Sequence, residues 1–275
     1  MRNTNKNYSR SKKTQIKIWF FARLIVTLQT IFENSMKKIL STIFVFFGAL
    51  VSISAQKPTY LTTEQLPNLI KCLPAPPAFD SPEFAYDIVR YAWGKQQRED
   101  PNRAAIAKGD AQWKSLDSLF HQFAIPFGLK VTPEGTPEIY KLLTMAVYTI
   151  DQMRVAPKAY YKRQRPFERY GEPTLTGEDN SLRGEGSYPS GHALRGQTCA
   201  LVMAQIAPEN ADTLFYRAHI YALSRVIAGA HWQSDVDASR NGATIGYCVL
   251  QNCPAFMEQM KKAQKEYRKI KGIKN

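Results

Sequence analysis

From residue 56 onward, apolar residues recur at the spacing of a helix and almost nowhere at the alternating spacing of a strand. The first such stretch follows Ser81-Pro82-Glu83, which reads as an N-cap, a first-turn proline and an early acid. Behind it Phe84, Ile88, Tyr91 and Ala92 fall on helical positions. Further helical patterns cover roughly 110–122, 136–155, 192–207, 209–228 and 232–250, with a basic amphipathic one at 255–270. In 209–228, Leu214, Ala218, Tyr221 and Val226 mark one face. No internal repeat is visible, and the Pro-rich run from Gln56 to Asp80 is expected to wrap the surface. Such a chain is expected to fold as one all-α domain. The best apolar run after residue 56, "LLTMAVYTI", falls short of the ~18 residues a membrane span needs, so no stable membrane insertion of the mature chain is expected.

The N-terminal part is of a different kind. "MKKILSTIFVFFGALVSISA" (36–55) has a basic start at Lys37 and Lys38, an apolar run from Ile39 to Val51 and small residues up to Ala55. That is the layout of a secretory signal peptide, with cleavage after Ala55 and Ser54 as the alternative junction. Residues 1–35 then read as an upstream extension from an early start codon, and 56–275 as the working domain. An amphipathic anchor at "IKIWFFARLIVTLQTIF" is the competing reading, weakened by Lys17 and Arg23. Export places the protein in the periplasm or outside the cell. It also permits disulfides among Cys72, Cys199, Cys248 and Cys253. Cys248 and Cys253 are near enough to pair across a turn, whereas Cys199 lies in an apolar helical pattern and suits a buried thiol. No CxxC spacing suggests zinc.

Charge narrows the partners. Of the formal +14, residues 1–55 hold nine Lys or Arg against Glu33 alone, leaving 28 basic and 22 acidic residues beyond them. That remainder shows no basic block interleaved with aromatics, so a nucleic-acid partner is not expected. A modest positive excess suits a small anionic substrate.

Three segments carry chemistry: "KAYYKRQRP" (158–166), "YPSGH" (188–192) and "SRVIAGAHWQSD" (224–235). Ser190 is a natural N-cap, and the helix start behind it offers unpaired N–H groups to an anion. Gly191 has no side chain to keep that anion away, and His192 stands within the first turn. His231 and Asp235 are four apart, hence on one face if helical. A carboxylate there can take the proton of one imidazole nitrogen and leave the other as a nucleophile. Gly229 allows a bend between Arg225 and His231, and Arg225 could instead pair with Asp235 or Asp237. Lys158 and Arg165 add positive charge on a short helix or ordered loop bracketed by Pro157 and Pro166, with Lys162 and Arg163 between them expected to be solvated.

These segments, in this order, resemble the superfamily of type 2 phosphatidic acid phosphatases and vanadium haloperoxidases. Its pattern is Lys, six residues, Arg-Pro; Pro-Ser-Gly-His; then Ser-Arg, five residues, His, three residues, Asp. Here these are Lys158 with Arg165-Pro166, Pro189 to His192, and Ser224-Arg225 with His231 and Asp235. Within it, "GSYPSGH" and "SRVIAGAHWQSDVDASR" are most similar to bacterial class A non-specific acid phosphatases. The resemblance implies a helical bundle and a secreted enzyme hydrolysing small phosphate monoesters through a phosphohistidine, without a metal or other cofactor. His231 would attack phosphorus, Asp235 would orient it, and His192 would protonate the leaving group. Lys158, Arg165, Ser190, Gly191 and Arg225 would hold the phosphoryl oxygens, and vanadate would act as inhibitor or transition-state mimic. Ala193, where many relatives carry Thr, and Ala230 are points of departure beside the site. A homo-oligomer is left open. The competing functions are a vanadium haloperoxidase, a lipid phosphatase touching a membrane through the 255–270 helix, and a non-catalytic phosphate-binding module. Since His192 must be protonated to act as acid, activity is expected to be best in mildly acidic solution and to decline in alkali.

Overall fold

The computed structural model describes residue 23 and residues 29–38, 57–112 and 115–273. They fall in two units, Met1–Gln56 and Lys57–Asn275. In the first, residues 29–38 are helical and exposed. The expected leader at 36–55 lies outside the described residues beyond 38, as does most of 1–35.

In the second unit nine helices of seven residues or more are described. They are α1 (Phe84–Gln96), α2 (Pro101–Ala111), α3 (Leu116–Gln122), α4 (Pro137–Asp151), α5 (Val155–Tyr161), α6 (Gly191–Ile206), α7 (Ala211–Ile227), α8 (Gln233–Leu250) and α9 (Pro254–Lys271). No strand occurs among the described residues, in line with the all-α expectation. Several expected boundaries shift for local reasons. The stretch expected at 110–122 divides into α2 and α3. Asp100 caps α2 from the side, accepting from Asn102 N at 2.8 Å, and Pro101 opens it, so it starts nine residues earlier. Ser81 does not cap α1; Ser81 and Pro82 form a turn whose carbonyls accept from Phe84 N and Ala85 N. The inward face of α1 carries Phe84, Asp87, Tyr91 and Gly94, while Ile88 is exposed.

α6 is the axis of the bundle. It packs chiefly against α7 and α8, then against α4 and α9. Leu194, Cys199, Ala200, Val202, Met203 and Ile206 put it into the main core, which a helix apolar on most sides must be. Each fully buried Leu or Ile contributes roughly 1.5–3 kcal/mol. The Pro-rich run is more than a wrapping, because Leu66, Leu69 and Leu73 plug into the same core. α9 lies along α4, and its Glu266 accepts from Glu138 N and Ile139 N, closing the start of α4. Its apolar face, Phe256, Met260, Ala263 and Tyr267, is buried in the main core. The membrane-touching role considered for 255–270 therefore lacks an apolar face to use. No helix among the described residues is long and apolar enough to cross a membrane.

At Gly196, α6 lies close against α7: a Cβ there would stand 2.5 Å from Cδ1 of the buried Tyr221 ring. Gly196→Ala should overpack this contact by ~1–3 kcal/mol, offset by ~1 kcal/mol of better helix propensity. A net stability loss on the order of 1 kcal/mol in urea denaturation is expected; a stabilised variant would show that the helices have room to part.

Candidate active site

Three pieces of chain meet at one end of α6. α5 carries Lys158 and stops at Lys162, whose φ of 44° ends the helix. The chain then runs extended to Pro166, and side chains alternate across it: Lys162 and Gln164 face out, Arg163 and Arg165 face in. The expectation that Lys162 and Arg163 are both solvated therefore fails for Arg163, which is buried. A fully buried guanidinium needs compensation, and Arg163 has it. Nη1 donates to Asp235 Oδ1 at 2.6 Å and Ser234 Oγ at 2.7 Å, and Nη2 donates to Asp87 Oδ2 at 2.8 Å.

The second piece is the end of α7. Gly229, with φ of 75°, turns the chain so that Ala230 N and His231 N both donate back to the Arg225 carbonyl. His231 thus sits before α8 rather than on it, since the helix starts at Gln233. Asp235, in the first turn, accepts from Trp232 N at 2.9 Å and so caps α8 while facing His231. Its Oδ2 lies 3.4 Å from His231 Nδ1 and accepts from Ser187 Oγ at 2.5 Å. Ser187 Oγ lies 3.3 Å from the same Nδ1. On the other edge Arg165 Nη1 is 3.0 Å from Nε2. Arginine can only donate, so Nε2 is the lone-pair nitrogen and Nδ1 carries the proton toward Ser187 and Asp235.

The third piece is the start of α6. Ser190 caps it, accepting from Ala193 N, and its own N–H donates to the Asp235 carbonyl at 3.2 Å, tying the starts of α6 and α8 together. Ala193 is fully buried against Ala222, Val226 and Val236, and is not on the cavity wall.

A cavity of about 260 Å³ collects Lys158, Arg165, Gly191, His192 and His231, together with Arg154, Arg195, Glu178 and Glu185. Asp235 stands behind His231, while Ser190 and Arg225 are buried at the margin and do not line it. Arg225 pairs with neither Asp235 nor Asp237 but with Glu178, at 2.8 and 3.3 Å. A larger groove of about 790 Å³ runs between α2 and α7, but none of the motif residues line it and its walls are mainly apolar. The motif residues meet at the smaller cavity.

Electrostatics there are dominated by buried cations. Burial, then Arg165, pushes the Lys158 ammonium down to about 7, against the pull of Glu185. Burial followed by Arg165 and Lys158 holds His231 well below its ordinary value, and burial followed by Arg225 and Arg195 does the same to His192. Both imidazoles are thus neutral over a wide pH range. The four cysteines are all thiols here, so Cys248, exposed, and Cys253, buried, do not pair. Among the described residues no cluster of three His, Cys, Asp or Glu could hold a metal ion.

Sequence reasoning missed Arg163, Ser187, Asp87 and the two glutamates. Only Arg163 had a legible signal: a run between two prolines that leaves its helix becomes extended, and period two then sends Arg163 inward beside Arg165.

Residues 139–261 match the family described as "PAP2 superfamily". The non-specific acid phosphatase of Salmonella typhimurium is 39% identical over 199 residues, 70% of this chain and 78% of that protein. The non-specific acid phosphatase of Providencia stuartii is 37% identical over 214 residues, 77% and 86% of the two chains. An acid phosphatase of Zymomonas mobilis is 32% identical over 200 residues, covering 72% and 75%.

Arg163→Met removes the partner of two buried carboxylates. Breaking a buried ion pair from one side costs ~3–5 kcal/mol, and chemical denaturation should show a loss of that size. A loss within ~0.5 kcal/mol would mean that Asp87 and Asp235 find other partners.

Proposed function

The chain belongs to the PAP2 superfamily, and from that membership and its acid phosphatase relatives we propose that it is a phosphoric monoester hydrolase acting on small soluble phosphate esters. The observation that carries the reading is the polarised His231. Its Nδ1 proton is held by Asp235 and Ser187, and its Nε2 lone pair is turned into a cavity lined by Lys158 and Arg165.

In this reading Nε2 attacks phosphorus as the bond to the leaving oxygen breaks, giving a phosphohistidine, while His192 gives that oxygen its proton. His192 then takes a proton from water as the water oxygen displaces His231 from phosphorus. Lys158, Arg165, Arg225, the Ser190 hydroxyl and the Gly191 N–H hold the charge building on the phosphoryl oxygens, with Arg165 moving from Nε2 to one of them. His231 must be neutral to attack, and the surrounding cations favour this even in mild acid. No metal takes part in this scheme. Vanadate, which mimics the pentacoordinate phosphorus, should inhibit. Export through residues 36–55 to the periplasm or medium belongs to the same reading, and the mass of the exported chain tests it by locating the cleavage point.

Hydrolysis of p-nitrophenyl phosphate near pH 6 in excess EDTA tests the reading directly. Turnover should survive the chelator and fall on the order of 10⁴-fold in His231→Ala and in Asp235→Asn, the scale seen when a catalytic triad loses its base or the carboxylate that fixes its tautomer. Activity lost to EDTA and restored by a divalent cation would sink the metal-free scheme.

A pH profile tests the acid. In the free enzyme His192 is depressed and Lys158 lies at about 7, so both lose their protons as pH rises and kcat/KM falls on the alkaline side. Bound phosphate offsets the neighbouring cations and raises both values. The alkaline limb of kcat should therefore lie at higher pH than that of kcat/KM, and coincident limbs would count against His192 as the acid.

A further inference from the structure

We propose that Glu185, together with Glu178, sets how tightly this site holds a phosphate group, by competing with it for the same cations. The proposal rests on reading the cavity as a phosphate site. Glu185 Oε1 lies 3.5 Å from Lys158 Nζ and 3.4 Å from Arg154 Nη1, and Oε2 lies 3.8 Å from Arg165 Nη2. Glu178 meets Arg225 with both oxygens, the fork-to-fork arrangement that guanidinium groups make equally with phosphate. Each cation assigned to phosphoryl oxygens thus already holds a carboxylate.

The two sides differ in exposure. Lys158, Arg165 and Arg225 side chains are 8%, 1% and 1% exposed, whereas Glu185 is 44% exposed and reaches in from the rim. Its backbone is fixed independently of its carboxylate: the Glu185 carbonyl accepts from Arg165 Nε at 3.0 Å and the Gly186 carbonyl accepts from Lys158 Nζ. Gly184 N is held by Glu168, and Asp179 is held by Thr174. The Glu185 carboxylate can therefore turn away while the strap that carries it stays in place; Glu178, 21% exposed, must also leave Thr176 Oγ1, which donates to it at 2.6 Å. Burial pushes the Glu185 carboxyl up, but Lys158, Arg165 and Arg154 together bring it below the ordinary range, so it stays charged in mild acid.

Exchange follows from this geometry. An incoming phosphomonoester, with up to two charges and three free oxygens, replaces both carboxylates. After hydrolysis the carboxylates return and weaken the hold on inorganic phosphate. The two glutamates are thereby determinants of anion affinity, and a merely structural role for them predicts the opposite sign, since loosening the strap would disorder the site and weaken binding.

The experiment is calorimetric titration of the full-length chain with inorganic phosphate at pH 6, for wild type, Glu185→Gln and Glu178→Gln, with thermal melts to establish folding. Phosphate should bind at least tenfold more tightly to Glu185→Gln and more tightly to Glu178→Gln, and its inhibition constant against p-nitrophenyl phosphate should fall in parallel. Unchanged or weaker phosphate binding in the folded variants overturns the proposal, and either variant alone suffices to decide if the other fails to fold. Wild type that binds phosphate without hydrolysing any ester would overturn the hydrolase reading and leave the competition measurable. Absence of phosphate binding in all three proteins overturns both.

Discussion

Everything at the working end of this bundle depends on burying several positive charges side by side. Arg163, Arg165 and Arg225 are almost wholly enclosed, with Lys158 close to it. An uncompensated buried cation costs several kcal/mol, so a fold that encloses four must supply anions and carbonyls around each. Here Asp87 and Asp235 neutralise Arg163, Glu178 meets Arg225, and the carbonyls of Glu185 and Ala230 take the donors of Arg165. The helices are arranged to deliver these partners. α1 brings Asp87, the first turn of α8 brings Asp235, and the end of α7 brings Arg225 and the Ala230 carbonyl.

The same charges then decide the state of the two imidazoles. Burial, and then the neighbouring guanidinium groups, make a positive charge on His192 or His231 unfavourable and hold both imidazoles well below their ordinary range. Asp235 is shared between Arg163 and His231, which lets it orient the ring without drawing a full charge onto it. In the proposed scheme such a cavity holds an attacking nitrogen ready and gains its acid only when the ligand brings negative charge. Affinity and protonation become one property of the site.

The helical class, the N-cap at Ser190 and the turn at Gly229 were readable because each rests on chemistry within a few residues. The motif spacing, from Lys158 through Ser190 to Asp235, was also readable, and the chain brings most of those residues to a single cavity. What could not be read were contacts across long stretches of chain. Arg163 and Asp87 are 76 residues apart, and Ser187 and Asp235 are 48 apart. The face that α1 turns inward was misjudged at Ile88 because a buried Asp87 makes sense only once Arg163 is opposite.

Local sequence therefore determined the helical class and caps such as that at Ser190, since capping, φ preference and apolar period act over one or two turns. Tertiary structure alone decided which nitrogen of His231 is free, which carboxylate answers which cation, and that Arg163 is enclosed rather than solvated. Those outcomes follow from desolvation and pairwise charge in a packed interior, quantities that do not exist until distant segments share the same few ångströms.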